Sequence, residues 1–526
     1  GLQAPTVSSL HAQIEQHFSL PDVAAITASL QADDSDWARH TLDQMAGHSP
    51  LMMCVTLEQI RRARGMALAD EFRMERDMVR HCFNLRKGLA SETVEGVRAL
   101  DRYTLQFRLE NPRPRFLYSL TFSDTYGAVA REVVEHYGDK IMAHPVGTGP
   151  FKLDRWRRSS FIRLVRNEGF RELRYDAQPN ADDAGGQALL ARFKGRRLPM
   201  LDAVEISIIE ESQPRWLSFL KGEFDLLYQL PEEYADIAVP HGQLAPNLAK
   251  QGMQLYRSLA SDRTMFYFNM DDPVVGGYTP DKVALRRAIS LAIDVEREIE
   301  TVRRHQAVPA QSVVSPMTWG FDPAYKSSNS EFDLARAKAL LDLYGYVDRD
   351  GDGWREQPDG RPLVLEYASQ PDSRSKPYDE LWKRDMDKLG LRLKVRLAQW
   401  PENLKAARAG QLMIWQLGFS STTPDAQLGL ELLYGPASGG QNLGRFKLER
   451  FDQLYREMLD LPDGPERLAR LREIQRLTAA YLPQRYRVHR ILNDLAFPWL
   501  QGFRRPVFTT QFWHYVDMDP SLRPKP

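Results

Sequence analysis

Apolar and polar positions change rhythm along the chain. Over residues 66–83, Leu68, Phe72, Val79 and Phe83 fall on one helical stripe, and residues 1–98 read as mostly helical. Residues 103–209 alternate instead, as in TLQFRL at 104–109 and FIRLVR at 161–166, and a period of two predicts short strands. Ahead of one of them stands Gly147-Thr148-Gly149-Pro150. Its glycines open backbone angles closed to other residues, and Pro150 fixes the entry into a strand at 151–156. After Met270, Leu285, Ala288, Ile289, Ala292 and Ile293 recur at i, i+3, i+4, i+7 and i+8, predicting a helix with one face on a sheet. Thr279 is its expected N-cap and Pro280 its first-turn proline. Residues 363–367 and 391–397 read as strands around a helix at about 378–389, and that βαβ spacing implies a parallel pair. Residues 175–186, rich in Asp, Ala, Asn and Gly, read as a loop. No internal repeat is visible.

The length of 526 residues gives a prior of three or four domain-sized units, and 43% hydrophobic residues suffice for a sizeable core. Basic and acidic residues balance at 70 each, which argues against a chain-wide field for nucleic acid or an anionic membrane. The local basic runs Arg155-Trp156-Arg157-Arg158 and Lys194-Gly195-Arg196-Arg197 read as solvated hairpin or loop. Cys54 and Cys82 form neither a CxxC pair nor a metal spacing and read as buried small hydrophobes. No apolar run has the length of a membrane span, and no charged-then-apolar signal segment opens the chain.

Asp348-Arg349-Asp350-Gly351-Asp352-Gly353 matches the opening of a calcium loop, with Asp359 at its twelfth position. Pro358 precedes that residue, the terminal ligand is not Glu, and a strand follows where an EF-hand needs a helix. A Gly-rich turn is therefore the favoured reading, and Asp348, Asp350 and Asp352 remain a weak surface metal candidate. GxSxG and HExxH are absent, and His48 beside Ser49 is set in a turn rather than a dyad. No cofactor is expected.

The run Pro145-Val146-Gly147-Thr148-Gly149-Pro150-Phe151 resembles the signature of the family 5 extracellular solute-binding proteins. So do, in order, WLSFLKGEFDLL from Trp216, Phe266-Tyr267-Phe268-Asn269-Met270, ALRRAISLAID from Ala284, LARAKALLDLYGY, the approach at 410–419, Asn442 and FDQLYREM from Phe451. The resemblance covers about 97–526. It implies an α/β, two-lobe periplasmic-binding-protein-like fold with an incomplete first lobe. The first lobe would take 99–265, the second 266–490, and 491–526 would return to the first. It also implies that an ABC importer permease is the partner, that a peptide or other small solute is the ligand, and that the protein works in the periplasm.

In such a fold the segment from Trp415 would face the cleft. Trp415 would offer a flat apolar surface, Gly418 close backbone approach, and Phe419, Ser420, Ser421, Thr422, Thr423, Asp425 and Asn442 the remaining contacts. Trp415 reads equally well as core. Peptide receptors of the family carry an acidic residue shortly before the Pro-Asp pair to neutralise the ligand's ammonium group. Here those positions are Ser420 to Thr423, and Asp425 reads as a turn or cap residue.

Residues 1–98 tell a different story. His48-Ser49-Pro50, MALADEFRMERDMVRHCF from Met66 and Val94-Glu95-Gly96-Val97-Arg98-Ala99 resemble the C-terminal part of a crotonase-type 3-hydroxyisobutyryl-CoA hydrolase. The seam between the two resemblances falls at about 96–101. The family's oxyanion-hole loops lie upstream of such a segment, so an acyl-CoA hydrolase or an inactive chimeric product is the alternative and no enzyme activity is expected. Glu75 reads as a helix-end or contact residue. A start at Gly1 fits a fragment, a processed product or a chimeric gene.

Overall fold

The structure, a computed structural model, describes residues 11–20, 23–46, 96–101, 103–122 and 127–523. The stripe at 66–83 with Glu75, both cysteines, His48 and Ser49 lie outside the described residues. The chain divides into two compact units, Gly1–Glu110 and Asn111–Pro526.

In the first unit, helices His11–Phe18, Val23–Gln31 and Asp36–Ala46 pack around Ile26, Leu30 and Ala38. His17 is buried there and hydrogen-bonds Ser29 Oγ (2.9 Å) and Asp33 Oδ2 (3.0 Å). A hairpin pairs Val97–Ala99 with Leu105–Phe107. Asp101 closes its turn by accepting the Tyr103 N–H (2.8 Å). The hairpin therefore spans the expected seam, and the unit runs on to Glu110.

The second unit is mixed α/β. Its first sheet is built on the long strand Val488–Ala496, which pairs antiparallel with Gln254–Leu259, Leu226–Leu227 and Ala307–Pro309. The second has the order Arg392–Leu397, Val364–Ser369, Ile414–Ser420, Asp262–Phe268, Gln484–Tyr486. Val364–Ser369 and Arg392–Leu397 are parallel with helix Lys376–Leu389 between them, as the βαβ spacing predicts. Asp262–Phe268 is buried along its whole length because apolar cores cover both faces of the second sheet. Phe266, Phe268, Leu285, Ile289 and Trp382 lie in one core, and Met265, Phe446, Phe451 and Leu454 in the other.

Two stretches of chain run from one sheet directly into the other: Gln254–Leu259 into Asp262–Phe268, and Gln484–Tyr486 into Val488–Ala496. Ladder bonds bridge these crossings, the Ala260 N–H to the Arg490 carbonyl (2.8 Å) and the Arg487 N–H to the Thr264 carbonyl (2.9 Å).

Local details differ from expectation in places. Helix Pro280–Ala292 opens with Pro280, but Thr279 at its N-cap makes no side-chain cap bond. Gly147 and Gly149 do not use the left-handed region. The turn before Phe151–Arg157 is held by Asn167 instead, whose side chain donates to the Gly149 carbonyl (2.9 Å). Helix Ala184–Phe193 begins inside the expected loop, because Asp183 caps it through the Gly186 N–H (2.9 Å).

Candidate functional site

A cavity of about 810 Å³ opens beside the two crossings. Strand register places its walls: Asp262 pairs with Ser420, so the chain leaving the first sheet at Ser258 to Asp262 meets the loop Ser420 to Pro424 from the second. Arg490 and Leu492 from the long strand, Tyr118, Thr121 and Phe122, the corner at Tyr228 and Gln229, and residues 505–511 with His514 and Tyr515 complete the wall. This volume lies in the range of small-ligand sites.

The charges on the wall are compensated. Asp262, nearly fully buried, receives the Arg490 Nε–H (2.5 Å) and the Arg490 backbone N–H (3.0 Å). Arg505 donates to both oxygens of Asp494, through Nε at 2.7 Å, and its guanidinium lies 3.8 Å over the Tyr228 ring. Gln229 holds a left-handed φ of 66°, and its backbone N–H donates to Asp494 Oδ1 (2.7 Å). Burial, and secondarily Arg171, pushes the His514 pKa down, which leaves a neutral imidazole on the wall at pH 7. Ser258 lines the cavity, and its hydroxyl, itself buried, has no hydrogen-bond partner among the described residues.

Ser420, Ser421, Thr422 and Thr423 line this cavity together. The other expected contacts are elsewhere. Trp415 has no exposed surface: it packs on Tyr267 and Trp400 with ring centroids 6.5 and 4.8 Å apart, among Ala406, Ala407 and Leu412. It is core, because the central strand that carries it is covered on both faces. Gly418 pairs with Thr264, and a Cβ added there would meet nothing within 4 Å, so no close approach requires its glycine. Phe419 lies under the Arg263 guanidinium at 4.5 Å rather than on the cavity wall.

Asp425 is buried and pairs with Arg467 (2.8 Å) and Arg115 (3.4 Å) while accepting the Gln427 N–H (2.8 Å), so it organises the bend after the hydroxyl loop. Asn442 is fully buried and stitches its own loop, donating to the Tyr434 (3.0 Å) and Phe446 (2.8 Å) carbonyls. Tyr118, Tyr228, Gln229, Arg505 and His514 were missed. The hydroxyl pair Thr509-Thr510, facing the same cavity as Ser420 to Thr423, was the signal available in sequence.

At the acidic turn, oxygens of Asp348, Asp350, Asp352 and Glu356 lie within 4.8 Å of one another. Glu356 takes the place expected for Asp359, which binds Arg361 instead (2.7 Å). Asp348 accepts the Gly351 (2.7 Å) and Gly353 (2.9 Å) N–H groups, and Asp352 pairs with Arg392 (3.1 Å), so these carboxylates shape the turn itself.

Two sheets joined by crossing strands, with a cavity at the crossing, make the frame of a two-lobe binding protein. The chain belongs to the bacterial extracellular solute-binding proteins, family 5, whose profile matches residues 55–441. That match begins within the first unit, earlier than the expected start near 97. An enoyl-CoA hydratase/isomerase profile also matches residues 2–102. The di/tripeptide-binding protein 2 of Pseudomonas aeruginosa is 23% identical over 438 residues, 81% of this chain and 72% of that protein. The heme-binding protein A of Haemophilus influenzae is 24% identical over 439 residues, 81% of this chain and 70% of that one. Among solved structures, the periplasmic binding protein DppA from Helicobacter pylori in complex with the peptide STSA superposes with a TM-score of 0.64 at 21% identity. That match covers 82% of this chain and 75% of that one. The relatives are named as binding proteins, and solute binding is the function that the family match supports.

Proposed function

We propose that this protein delivers a peptide or related amphipathic solute to the membrane permease of an ABC importer, in the periplasm, and that recognition does not rest on a free ammonium group. The observation that carries the ligand reading is the make-up of the cavity wall. Ser420, Ser421, Thr422 and Thr423 stand where peptide receptors place an acid, and the one carboxylate among the described lining residues, Asp262, is taken by Arg490. Hydroxyls exchange hydrogen bonds with a neutral amide but cannot neutralise a buried cation, whose burial costs several kcal/mol when unpaired.

The direct test is calorimetric titration of one peptide series in free-amine and N-acetylated forms. Acetylated or longer peptides bind as well as or better than the free forms, and Thr422→Asp reverses the order. A clear preference of the parent protein for free amines overturns the reading.

The lobe assignment, with 99–265 and 491–526 in one lobe and 266–490 in the other, is supported by the crossings at Ala260 to Asp262 and at Arg487, while residues 99–110 fall in the first unit and strand Ala307–Pro309 joins the first sheet. In this reading the crotonase-like residues 1–98 contribute no turnover, since the family match and the relatives support solute binding. Hydrolysis of 3-hydroxyisobutyryl-CoA above background, abolished by Glu75→Ala, is the outcome that sinks the non-enzyme reading.

A further inference from the structure

A second pocket, of about 430 Å³, lies away from the cleft, between helix Pro465–Tyr481 and the loop Gly320 to Tyr325. Leu468, Arg472, Gln475 and Arg476 fall at i, i+4, i+7 and i+8 and so share one helix face, opposite Phe321 and Pro323. The loop comes close because Gly320, at φ +85°, has no Cβ; one added there would sit 2.2 Å from Leu471 Cδ2.

Two guanidinium groups stand in this pocket against one carboxylate. Neither Arg472 nor Arg476 makes an ion pair among the described residues, and the neighbouring acid Glu473 is occupied by Arg450 (2.8 and 3.0 Å). Asp322 is turned into its own loop, accepting the Ala324 N–H (2.9 Å).

Behind the pocket lies a further positive charge. Tyr325 and Gln475 also line a small inner cavity of about 10 Å³, whose wall includes Arg485. Arg485 is fully buried, has no carboxylate partner among the described residues, and keeps its Nη2 without a hydrogen-bond partner. The two unpaired guanidinium groups make the mouth electropositive, Arg485 adds a buried positive charge behind it that donates to the Ser290 carbonyl (3.4 Å) and the Ser330 hydroxyl (3.2 Å), and Phe321, Pro323 and Leu468 give the site an apolar side.

We propose that this pocket is a second ligand site, separate from the interlobe cleft, for a small organic anion with a carboxylate head on Arg472 and Arg476 and a short apolar body against Phe321, Pro323 and Leu468. The planar forks of two guanidinium groups suit a carboxylate, and a volume of this size admits a single ring but not a long peptide. Benzoate is the probe, with neutral benzamide and inorganic phosphate as its comparisons, titrated calorimetrically into the full chain at constant ionic strength. Benzoate binds saturably and more tightly than either, and Arg472→Gln with Arg476→Gln lowers its affinity by about tenfold or more while the melting temperature without ligand is unchanged. Both side chains are exposed, so the double variant folds. Binding shared by benzamide, benzoate no tighter than phosphate, or affinity unchanged in the double variant overturns the assignment.

Discussion

Asp379 shows what a single half-buried carboxyl does to this fold. It accepts the Ser369 hydroxyl (2.8 Å), and burial pushes its pKa from 3.8 to about 6. The folded state therefore holds the proton more tightly than the unfolded chain does. The resulting cost to stability is fully present above about pH 6, shrinks as the pH falls, and is gone below about 3.8. Asp379→Asn keeps the acceptor without the charge, so it stabilises the protein by on the order of 1–2 kcal/mol at pH 8 and leaves it unchanged at pH 3.5, as urea melts at the two pH values will read. Trp415 is the converse case, a largely apolar ring without exposed surface whose indole N–H finds no partner among the described residues. Trp415→Ala costs about 3–5 kcal/mol in denaturant unfolding, while solute affinity at native conditions stays within about threefold of the parent. From sequence, the hydroxyls Ser420 to Thr423 were legible because their chemistry departs from what a peptide amine needs. The face of Trp415 was not, since a central strand buried on both sides has no polar alternation to reveal which way a side chain points.

At the scale of elements, the segment 111–122 does what its proline-broken composition gave no hint of. Arg115 from this strap is buried against the C-terminal end of helix Glu449–Asp460, donating to the Met458 (3.1 Å), Leu459 (3.2 Å) and Leu461 (2.8 Å) carbonyls and to Asp463 (3.1 Å). Tyr118, Thr121 and Phe122, farther along the strap, line the cleft. Arg115→Ala removes charge-assisted bonds from a buried site and lowers stability by about 2 kcal/mol, with weaker solute binding in the same titration. Arg113→Ala, which breaks a half-exposed pair with Asp460, costs less than about 1 kcal/mol. Periodicity found helix Pro280–Ala292 and the parallel strands because each is amphipathic within its own sequence. The strap escaped notice because one long-range arginine, not a repeating pattern, anchors it.

For the whole molecule, the sequence carried the α/β class and the solute-binding family, since those rest on many short motifs in a fixed order. It could not place the boundary of the first unit, because the two sides of the expected seam pair as one hairpin and both halves of that hairpin alternate alike. Removing residues 1–110 leaves the melting transition of the remaining chain nearly unchanged. A loss above ~2 kcal/mol, the scale of real core disruption, would reveal that the first unit supports the second.

The crossing strands also set the rhythm of capture. On the proposed two-lobe reading, these ladder-bonded crossings are the hinge about which the lobes would swing. Capture is then expected to be a concentration-dependent encounter with one wall followed by a unimolecular closing step. In stopped-flow fluorescence the observed rate is then expected to level off at high solute concentration, at the sum of the closing and opening rates, and a rate that keeps rising linearly overturns the hinge reading.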